Sequence, residues 1–160
     1  MGLFGTKKVQ DKEAAIQECV KMIEGFLKKI DFNPNKQRLP NRDTLGWWVQ
    51  RGSAIIYIIL NQHDDTPTVR IVSPILYLPE NYILPFYRKC LELNVDLINC
   101  AFGVVDDKVV LVSERPIDDL DPRELAGTIQ YLAAFADHID DKLAAEFNAQ
   151  MYVDGGGGLF

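Results

Sequence analysis

The chain has 160 residues, of which 48% are hydrophobic and 25% are charged, and its formal net charge is −6 at pH 7. These values are typical of one soluble globular domain and exclude a disordered or fibrous chain. The acidic charge argues against a nucleic-acid partner, because no cluster of more than two basic residues offsets the repulsion of phosphates. The longest apolar run, residues 54–60, is far shorter than the roughly 20 residues that cross a bilayer. We therefore expect a cytoplasmic protein without membrane insertion.

The sequence offers no recognisable catalytic or metal-binding machinery. Its three cysteines, Cys19, Cys90 and Cys100, form no CxxC pair and fit reduced thiols in the core. Motifs for phosphate loops, dinucleotide binding, zinc proteases and serine hydrolases are missing. The acidic residues around Asp137 are spaced as on any exposed helix, and those after His63 lie in a loop. We predict no enzymatic activity, no cofactor and no metal site.

The first half of the chain predicts one helix followed by three strands. Apolar residues recur at helical spacing over residues 11–30, after a flexible N-terminus at residues 1–10. A loop rich in proline and asparagine leads to strand-like segments at residues 45–51, 53–61 and 68–78. The links between these segments favour an antiparallel meander.

The second half predicts a short helix, a hairpin and a long helix. The stretch LPENYILPFYRKCLELN places apolar residues on one side of a helix. Residues 97–105 and 108–114 are strand-like and are joined by an acidic turn. In DPRE, Asp121 can cap the last helix, Pro122 takes its first position, and Glu124 can reach back to the cap amide.

The order of the elements indicates a single α+β domain. It reads α-β-β-β-α-β-β-α over residues 11–151, without an internal repeat. A glycine-rich stretch, residues 152–160, follows and is predicted to be a flexible tail.

A block in the second half of the chain resembles a known family. It reads LELNVDLINCAFGVVDDKVVLVSERPIDDLDPRELAGTIQYLAAFADHIDDKL. The matching features are Leu93 with Asn94, Phe102, Asp106 with Asp107, Val110 and the AFADHIDDKL segment. With them the chain resembles the YbjN family and a related cyanobacterial family of uncharacterised proteins.

The resemblance carries expectations for fold and function. YbjN-like proteins are similar in fold to type III secretion chaperones, whose order of helices and strands matches the one over roughly residues 10–150. The resemblance implies helices packed mainly on one face of a curved antiparallel sheet. It also implies a protein that is often a homodimer and works by binding other proteins.

The stretch SAIIYIILNQ raises the main question about partners, because it is apolar on both faces of its strand. Ile55, Tyr57 and Ile59 point one way, and Ala54, Ile56, Ile58 and Leu60 point the other. Leaving the last three in water would forgo roughly 5–9 kcal/mol. Two solutions are open: the helices cover both faces, or they cover one face while a second subunit or a client meets the other.

Trp47 and Trp48 are adjacent in the first strand and therefore lie on opposite faces. One of them is a core residue, and the other is a candidate anchor of an interface. We predict a protein-binding sheet face that contains Trp47 or Trp48 together with Ile56, Ile58 and Leu60.

Leu159 and Phe160 are further candidates for protein binding. They follow four glycines, and a mobile apolar pair of this kind can dock into a groove on a partner. Glycine-rich tails are also simply disordered in many proteins, so both interpretations stay open.

The sequence favours a non-enzymatic protein-binding module, chaperone-like or regulatory. It is expected to be a homodimer that binds an unidentified protein client through its hydrophobic sheet face. The alternative is a small-molecule-sensing regulatory domain, a monomer with an internal apolar pocket lined by Tyr82, Phe86 and Tyr87.

Overall fold

The computed structural model describes residues 3–41, 44–62 and 66–153, with side chains from Gln10 onward. Its elements are α1 (Leu3–Lys29), β1 (Leu45–Arg51), β2 (Ala54–Asn61), β3 (Thr68–Tyr77), α2 (Ile83–Asn94), β4 (Ala101–Val105), β5 (Lys108–Pro116) and α3 (Pro122–Phe147). The predicted α+β class and the predicted order of elements are confirmed.

The five strands form one antiparallel sheet in the order β1-β2-β3-β5-β4. β1, β2 and β3 pair consecutively, as predicted, and β4 pairs with β5 in a hairpin. β5 then pairs along the full length of β3, where the register shifts between Pro74 and Leu76. This pairing leaves β1 and β4 at the two edges of the sheet.

α1 extends further toward the N-terminus than predicted. It begins at Leu3 rather than at residue 11, so it includes most of the segment that was predicted to be flexible. Residues 7–14 are KKVQDKEA, in which lysine, glutamine, glutamate and alanine are good helix formers and no proline interrupts the helix. The apolar periodicity begins only later in the segment, and it therefore predicts a helix start that is too late.

All three helices pack on the same face of the sheet, which we call the helix face. α3 contacts β1, β2, β3 and β5, α2 contacts β4, and α1 packs against α3. The largest fully buried side chains here are Trp47, Ile56, Ile58, Ile71, Leu76 and Leu111 from the strands, and Ile23, Leu27, Phe86, Leu125, Ile129 and Leu132 from the helices. The prediction that the helices lie mainly on one face is confirmed.

α3 begins with the cap that the sequence predicted. The Asp121 carboxylate accepts hydrogen bonds from the backbone amides of Arg123 (2.7 Å) and Glu124 (2.9 Å), and these bonds lower the pKa of Asp121. Glu124 does not complete a capping box, because its carboxylate accepts a hydrogen bond from Arg115 instead. An ion pair therefore ties the start of α3 to the end of β5.

The β1–β2 hairpin is fastened to α3 by a serine and two aspartates. Ser53 Oγ donates to Asp140 Oδ2 at 2.6 Å, and the Ser53 amide donates to Asp137 Oδ1 at 2.9 Å. Gly52 has a φ of 56°, and a Cβ at this position would collide with the Asp137 carboxylate. Asp140 is buried, so its hydrogen bond with Ser53 holds a carboxylate that water does not reach.

Removing the Ser53 hydroxyl is expected to destabilise the fold. In Ser53→Ala, Asp140 loses the donor to Oδ2, and we expect a loss of about 1–2 kcal/mol in the free energy of unfolding. Urea denaturation followed by circular dichroism measures this loss. Ser73→Ala is the matched control, because the buried Ser73 hydroxyl has no partner among the described residues. Equal losses in both variants would contradict a fastening role for Ser53.

Candidate functional site

The face of the sheet opposite the helices carries a second apolar cluster, and we call it the open sheet face. Its centre consists of Tyr57, Val72 and Val110. Leu39, Trp48, Ile55, Ile59, Val105 and Val112 surround this centre and are partly buried. Among the described residues, no helix contributes a side chain to this cluster.

The strand register aligns these side chains into a row that crosses the whole sheet. Trp48 of β1 lies opposite Tyr57 of β2, which lies opposite Val72 of β3. Val72 in turn lies opposite Val112 of β5, and Val112 lies opposite Ala101 of β4. Adjacent strands are about 4.8 Å apart, so the row is about 19 Å long.

The open sheet face is polar at one end. Arg70 Nη2 and Glu114 Oε2 form a cross-strand ion pair at 2.6 Å, and Thr68 Oγ1 donates to Glu114 Oε1 at 2.7 Å. Burial raises the pKa of Glu114, but the bonds from Thr68 and Arg70 outweigh this effect and hold it below its usual value. The charges at this end are therefore paired, and the apolar row lies next to them.

Both edges of the sheet are partly occupied by the chain itself. At the β1 edge, the Trp48 amide donates to Gln37 O at 2.9 Å and the Leu39 amide donates to Gly46 O at 3.0 Å. At the β4 edge, the Phe102 amide donates to Asn94 Oδ1 at 2.7 Å. These contacts use backbone groups that an added strand would need.

The structure assigns the predicted binding residues to two different faces. Trp47, Ile56 and Ile58 are 0% exposed and Leu60 is 2% exposed, all on the helix face. Trp48 is on the open sheet face with Ile55, Tyr57 and Ile59. The two faces alternate along the strands as predicted, and the half that carries Ile56, Ile58 and Leu60 packs against the helices of the chain itself. Trp47, Ile56, Ile58 and Leu60 are core residues of the single chain, and this corrects their predicted role.

Other candidates lie outside the described residues or were missed. Leu159 and Phe160 belong to residues 154–160, which the structure does not describe. Residues 63–65, which include His63, also lie outside the described residues. Val72, Val110 and Val112 were not predicted as site residues. Their signal was the alternation within β3 and β5, read together with the register of those strands.

A second apolar surface lies where α2 meets the edge strand β4, and we call it the α2–β4 surface. Leu84, Leu91 and Val95 of this region are 75%, 67% and 83% exposed, and Val104 of β4 is 45% exposed. Tyr87 lies on the same side of α2 and is also exposed. A groove of about 260 Å³ runs between the helix and the strand, and Tyr87, Leu91, Phe102 and Val104 are among its lining residues.

The three residues predicted to line one internal pocket do not come together. Phe86 and Tyr87 line the groove beside β4. Tyr82 lines a different cleft of about 670 Å³, which is bordered by Glu80, Asp107 and Glu146. The small-molecule-sensing hypothesis predicted one internal pocket lined by these three residues, and the structure instead distributes them between two surface clefts.

The cysteines are buried or partly buried thiols. All three are free, and burial raises the pKa of Cys19 and of Cys90 to about 11. Within the described ranges, no three His, Cys, Asp or Glu side chains come together in a way that could hold a metal ion. No helix in the described part of the chain is both long enough and apolar enough to span a bilayer.

Comparison with solved structures finds the same fold in several proteins. A chain of the ExsC–ExsE complex has a TM-score of 0.61 at 13% identity, and the match covers 79% of this chain and 94% of that one. YbjN from E. coli has a TM-score of 0.52 at 9% identity, covering 84% and 96%. A chain of the HopA1–SchA chaperone–effector complex has a TM-score of 0.52 at 12% identity, covering 76% and 91%. At these identities the likeness shows the fold alone.

Comparison of the sequence identifies the family. No curated protein is similar enough to count as a relative. A family model does match residues 17–155, which is most of the chain. The chain therefore belongs to the family described as T3SS (YopN, CesT) and YbjN peptide-binding chaperone 1, TY-Chap1.

Proposed function

We propose that this chain is a non-catalytic, chaperone-like module that binds an extended apolar segment of a client protein on its open sheet face. The observation that carries this proposal is the apolar row from Trp48 to Val112, on which no described helix packs. Two of the structural neighbours come from complexes with another protein, ExsC–ExsE and HopA1–SchA, which supports a protein client.

The chemistry of the face indicates what it binds. Trp48 offers flat apolar area with few rotatable bonds beside the buried Tyr57, which favours Trp48 as the anchor. The amides of Trp48 and Phe102 are already bonded within the chain, so contact through side chains is favoured over strand addition at an edge. The net charge of −6 disfavours an acidic segment. The expected client segment is therefore extended, apolar, and neutral or basic.

We further propose that two copies associate through the α2–β4 surface to form a homodimer. Leu84, Tyr87, Leu91 and Val95 follow one another at steps of three or four residues, the spacing of a helix–helix seam. Arg88 and Glu92 form an ion pair beside this seam, with 2.8 Å between Arg88 Nε and Glu92 Oε1. In an antiparallel pair of α2 helices, a two-fold axis near residue 90 brings Arg88 of each copy level with Glu92 of the other. The surface is thus self-complementary in charge as well as apolar.

The expected location follows from the cysteines. Cys19, Cys90 and Cys100 are all free, and unpaired thiols persist in a reducing compartment. We therefore place the protein in the cytoplasm, as either a chaperone or a regulator of its client.

Substitution of Trp48 tests the client site. We expect Trp48→Ser to weaken binding about thirtyfold, since loss of an aromatic anchor costs about 2 kcal/mol. Fluorescence anisotropy with labelled ten-residue peptides that alternate apolar and neutral or basic residues measures the dissociation constant. Tyr82→Ser is the control, because Tyr82 is 75% exposed in the cleft bordered by Glu80 and Asp107. The proposal fails if no such peptide binds the wild-type protein, or if both variants lose affinity equally.

A further inference from the structure

The open sheet face changes from apolar to polar along its strands. Ile59, Arg70 and Glu114 lie opposite one another in β2, β3 and β5. Each is two residues from a member of the apolar row, so it points to the same face, about 6.6 Å further along its strand. A pocket of about 240 Å³ opens here, and its lining residues are Thr44, Ile59, Asn61, Arg70 and Glu114. The polar end of the face is therefore a shaped pocket that adjoins the apolar row.

The ion pair in this pocket can form further hydrogen bonds. Arg70 donates to Glu114 Oε2 from Nε at 2.8 Å and from Nη2 at 2.6 Å, and its Nη1 donors take part in neither bond. Glu114 accepts these two bonds and one from Thr68, which uses three of the roughly four lone-pair positions of a carboxylate. The side chains of Arg70 and Glu114 are 43% and 30% exposed, so a ligand can reach both. The pair therefore offers one kind of donor and one acceptor to a bound group.

A primary amide matches this combination, and a charged group does not. The amide oxygen can accept from the guanidinium of Arg70, while the amide NH₂ donates to the carboxylate of Glu114. A lysine of the client is attracted by Glu114 but repelled by Arg70, and the opposite holds for a carboxylate, so a single charge gains little. An aliphatic side chain displaces water from both charged groups without replacing its hydrogen bonds. The pocket therefore selects asparagine or glutamine.

The spacing of side chains on the face indicates how a client lies. In an extended segment, the side chains on one side are two residues apart, or about 6.6 Å, whereas neighbouring strands are about 4.8 Å apart. Ile55, Tyr57 and Ile59 of β2 repeat on the open sheet face at this same two-residue distance. A client that runs along β2 and β3 therefore places successive side chains at Ile55, at Tyr57 and at the pocket beside Ile59. Two apolar positions are followed by one polar position.

We propose that the open sheet face recognises client segments with the pattern apolar-x-apolar-x-amide, in which the side-chain amide of glutamine or asparagine binds to Arg70 and Glu114. This proposal rests on the proposed client site and names the sequence that the site prefers, in either chain direction. The apolar pair supplies the contact with the apolar row. The amide fixes the register, because a segment shifted by two residues places an apolar side chain over the ion pair.

Four labelled peptides that differ only in the probed residue test this proposal. Each contains the apolar pair, with glutamine, leucine, lysine or glutamate two positions before it and two positions after it, so that both chain directions present the probed residue. By fluorescence anisotropy, the glutamine peptide should bind the wild-type protein about tenfold more tightly than each of the others, because only an amide satisfies both the donor and the acceptor. In NMR spectra, the Nε–H resonance of Arg70 should shift when this peptide is added. That of Arg88, which is paired with Glu92 on α2, should not.

Two double variants test whether the preference comes from the ion pair. Arg70→Val with Glu114→Val removes both charges and introduces residues that suit a strand, so the preference for glutamine over leucine should vanish. Arg70→Glu with Glu114→Arg exchanges the charges between paired positions of β3 and β5, so the preference should remain. Trp48→Ser is the control, because it should weaken the binding of all four peptides by the same factor. Circular dichroism checks that each variant is folded.

The outcomes separate this inference from the proposed function. If all four peptides bind the wild-type protein equally, the amide preference is wrong and the client site stands. If none of them binds, both proposals are wrong. A glutamine preference that persists without Arg70 and Glu114, or tighter binding of the lysine or glutamate peptide, overturns the assignment of the pocket. Loss of the preference in the variant with exchanged charges overturns it as well, even if the double valine variant does not fold.

Discussion

Ile58→Asp is expected to unfold the protein. Ile58 is 0% exposed at the centre of the helix face, between Trp47 of β1 and Ile71 of β3. The substitution removes apolar burial worth about 2–5 kcal/mol and adds the cost of burying a carboxylate without a partner. Together these losses approach the whole stability of a domain, about 5–15 kcal/mol. Circular dichroism in the far ultraviolet should show loss of the native spectrum at 25 °C.

The neighbouring residue provides the matched control. Ile59 is one position further along β2, on the open sheet face, and is partly buried. Ile59→Asp should keep the native spectrum, because the new carboxylate can reach water, and it should weaken binding of the labelled peptides. If Ile58→Asp folds as well as Ile59→Asp, the assignment of the two faces is wrong. Ile58→Ala is a milder variant that should still fold. Urea denaturation should show that it loses about 2–5 kcal/mol in the free energy of unfolding, as expected for a core residue.

The order of elements was predictable because each element carries a local signal. The capping residues Asp121 and Pro122 mark the start of α3, and the DD turn marks the β4–β5 hairpin. Helices that are apolar on one side must bury that side, and the resemblance to a known family indicated that they share one face of the sheet. These parts of the fold depend on residues that are close in sequence.

The choice between the two faces of β2 could not be made from the sequence. Ile56 and Ile58 on one side and Ile55 and Ile59 on the other are equally apolar, so periodicity does not distinguish them. The choice depends on which side α3 crosses, which is fixed by contacts such as that of Ser53 with Asp140, 87 positions apart. A contact at that separation leaves no periodic pattern in the sequence.

The candidate site was missed for the same reason. Val72, Val110 and Val112 come from strands that pair only after α2 and β4 have intervened in the chain. Their side chains form a row with Trp48 and Tyr57 only through the register of the sheet. The sequence could therefore predict an apolar sheet face but not its members.

Leu91→Glu is expected to convert a homodimer into a monomer. Leu91 is 67% exposed in the middle of the α2 seam and lines the groove beside Val104. In an antiparallel pair of α2 helices, the new carboxylate and its copy meet near the two-fold axis, where like charges repel and apolar contact is lost on both sides. The dissociation constant should rise by at least about thirtyfold, because two anchors of over 1 kcal/mol each are removed at once. Size-exclusion chromatography with light scattering measures the change in mass, and circular dichroism confirms that the monomer is folded.

Lys89→Glu is the control for this prediction, because Lys89 lies on the same helix but away from the seam. It introduces the same side chain into α2, and the mass measured by light scattering should remain that of a dimer. If the wild-type protein is a monomer both at high concentration and after 100-fold dilution, the proposed dimer is wrong. Loss of the dimer in both variants would instead indicate that net charge, and not the α2–β4 surface, controls association.

Peptide binding by the Leu91→Glu monomer then decides whether the two surfaces act independently. If the client site is the open sheet face, the monomer should bind the labelled peptides as tightly as the dimer does.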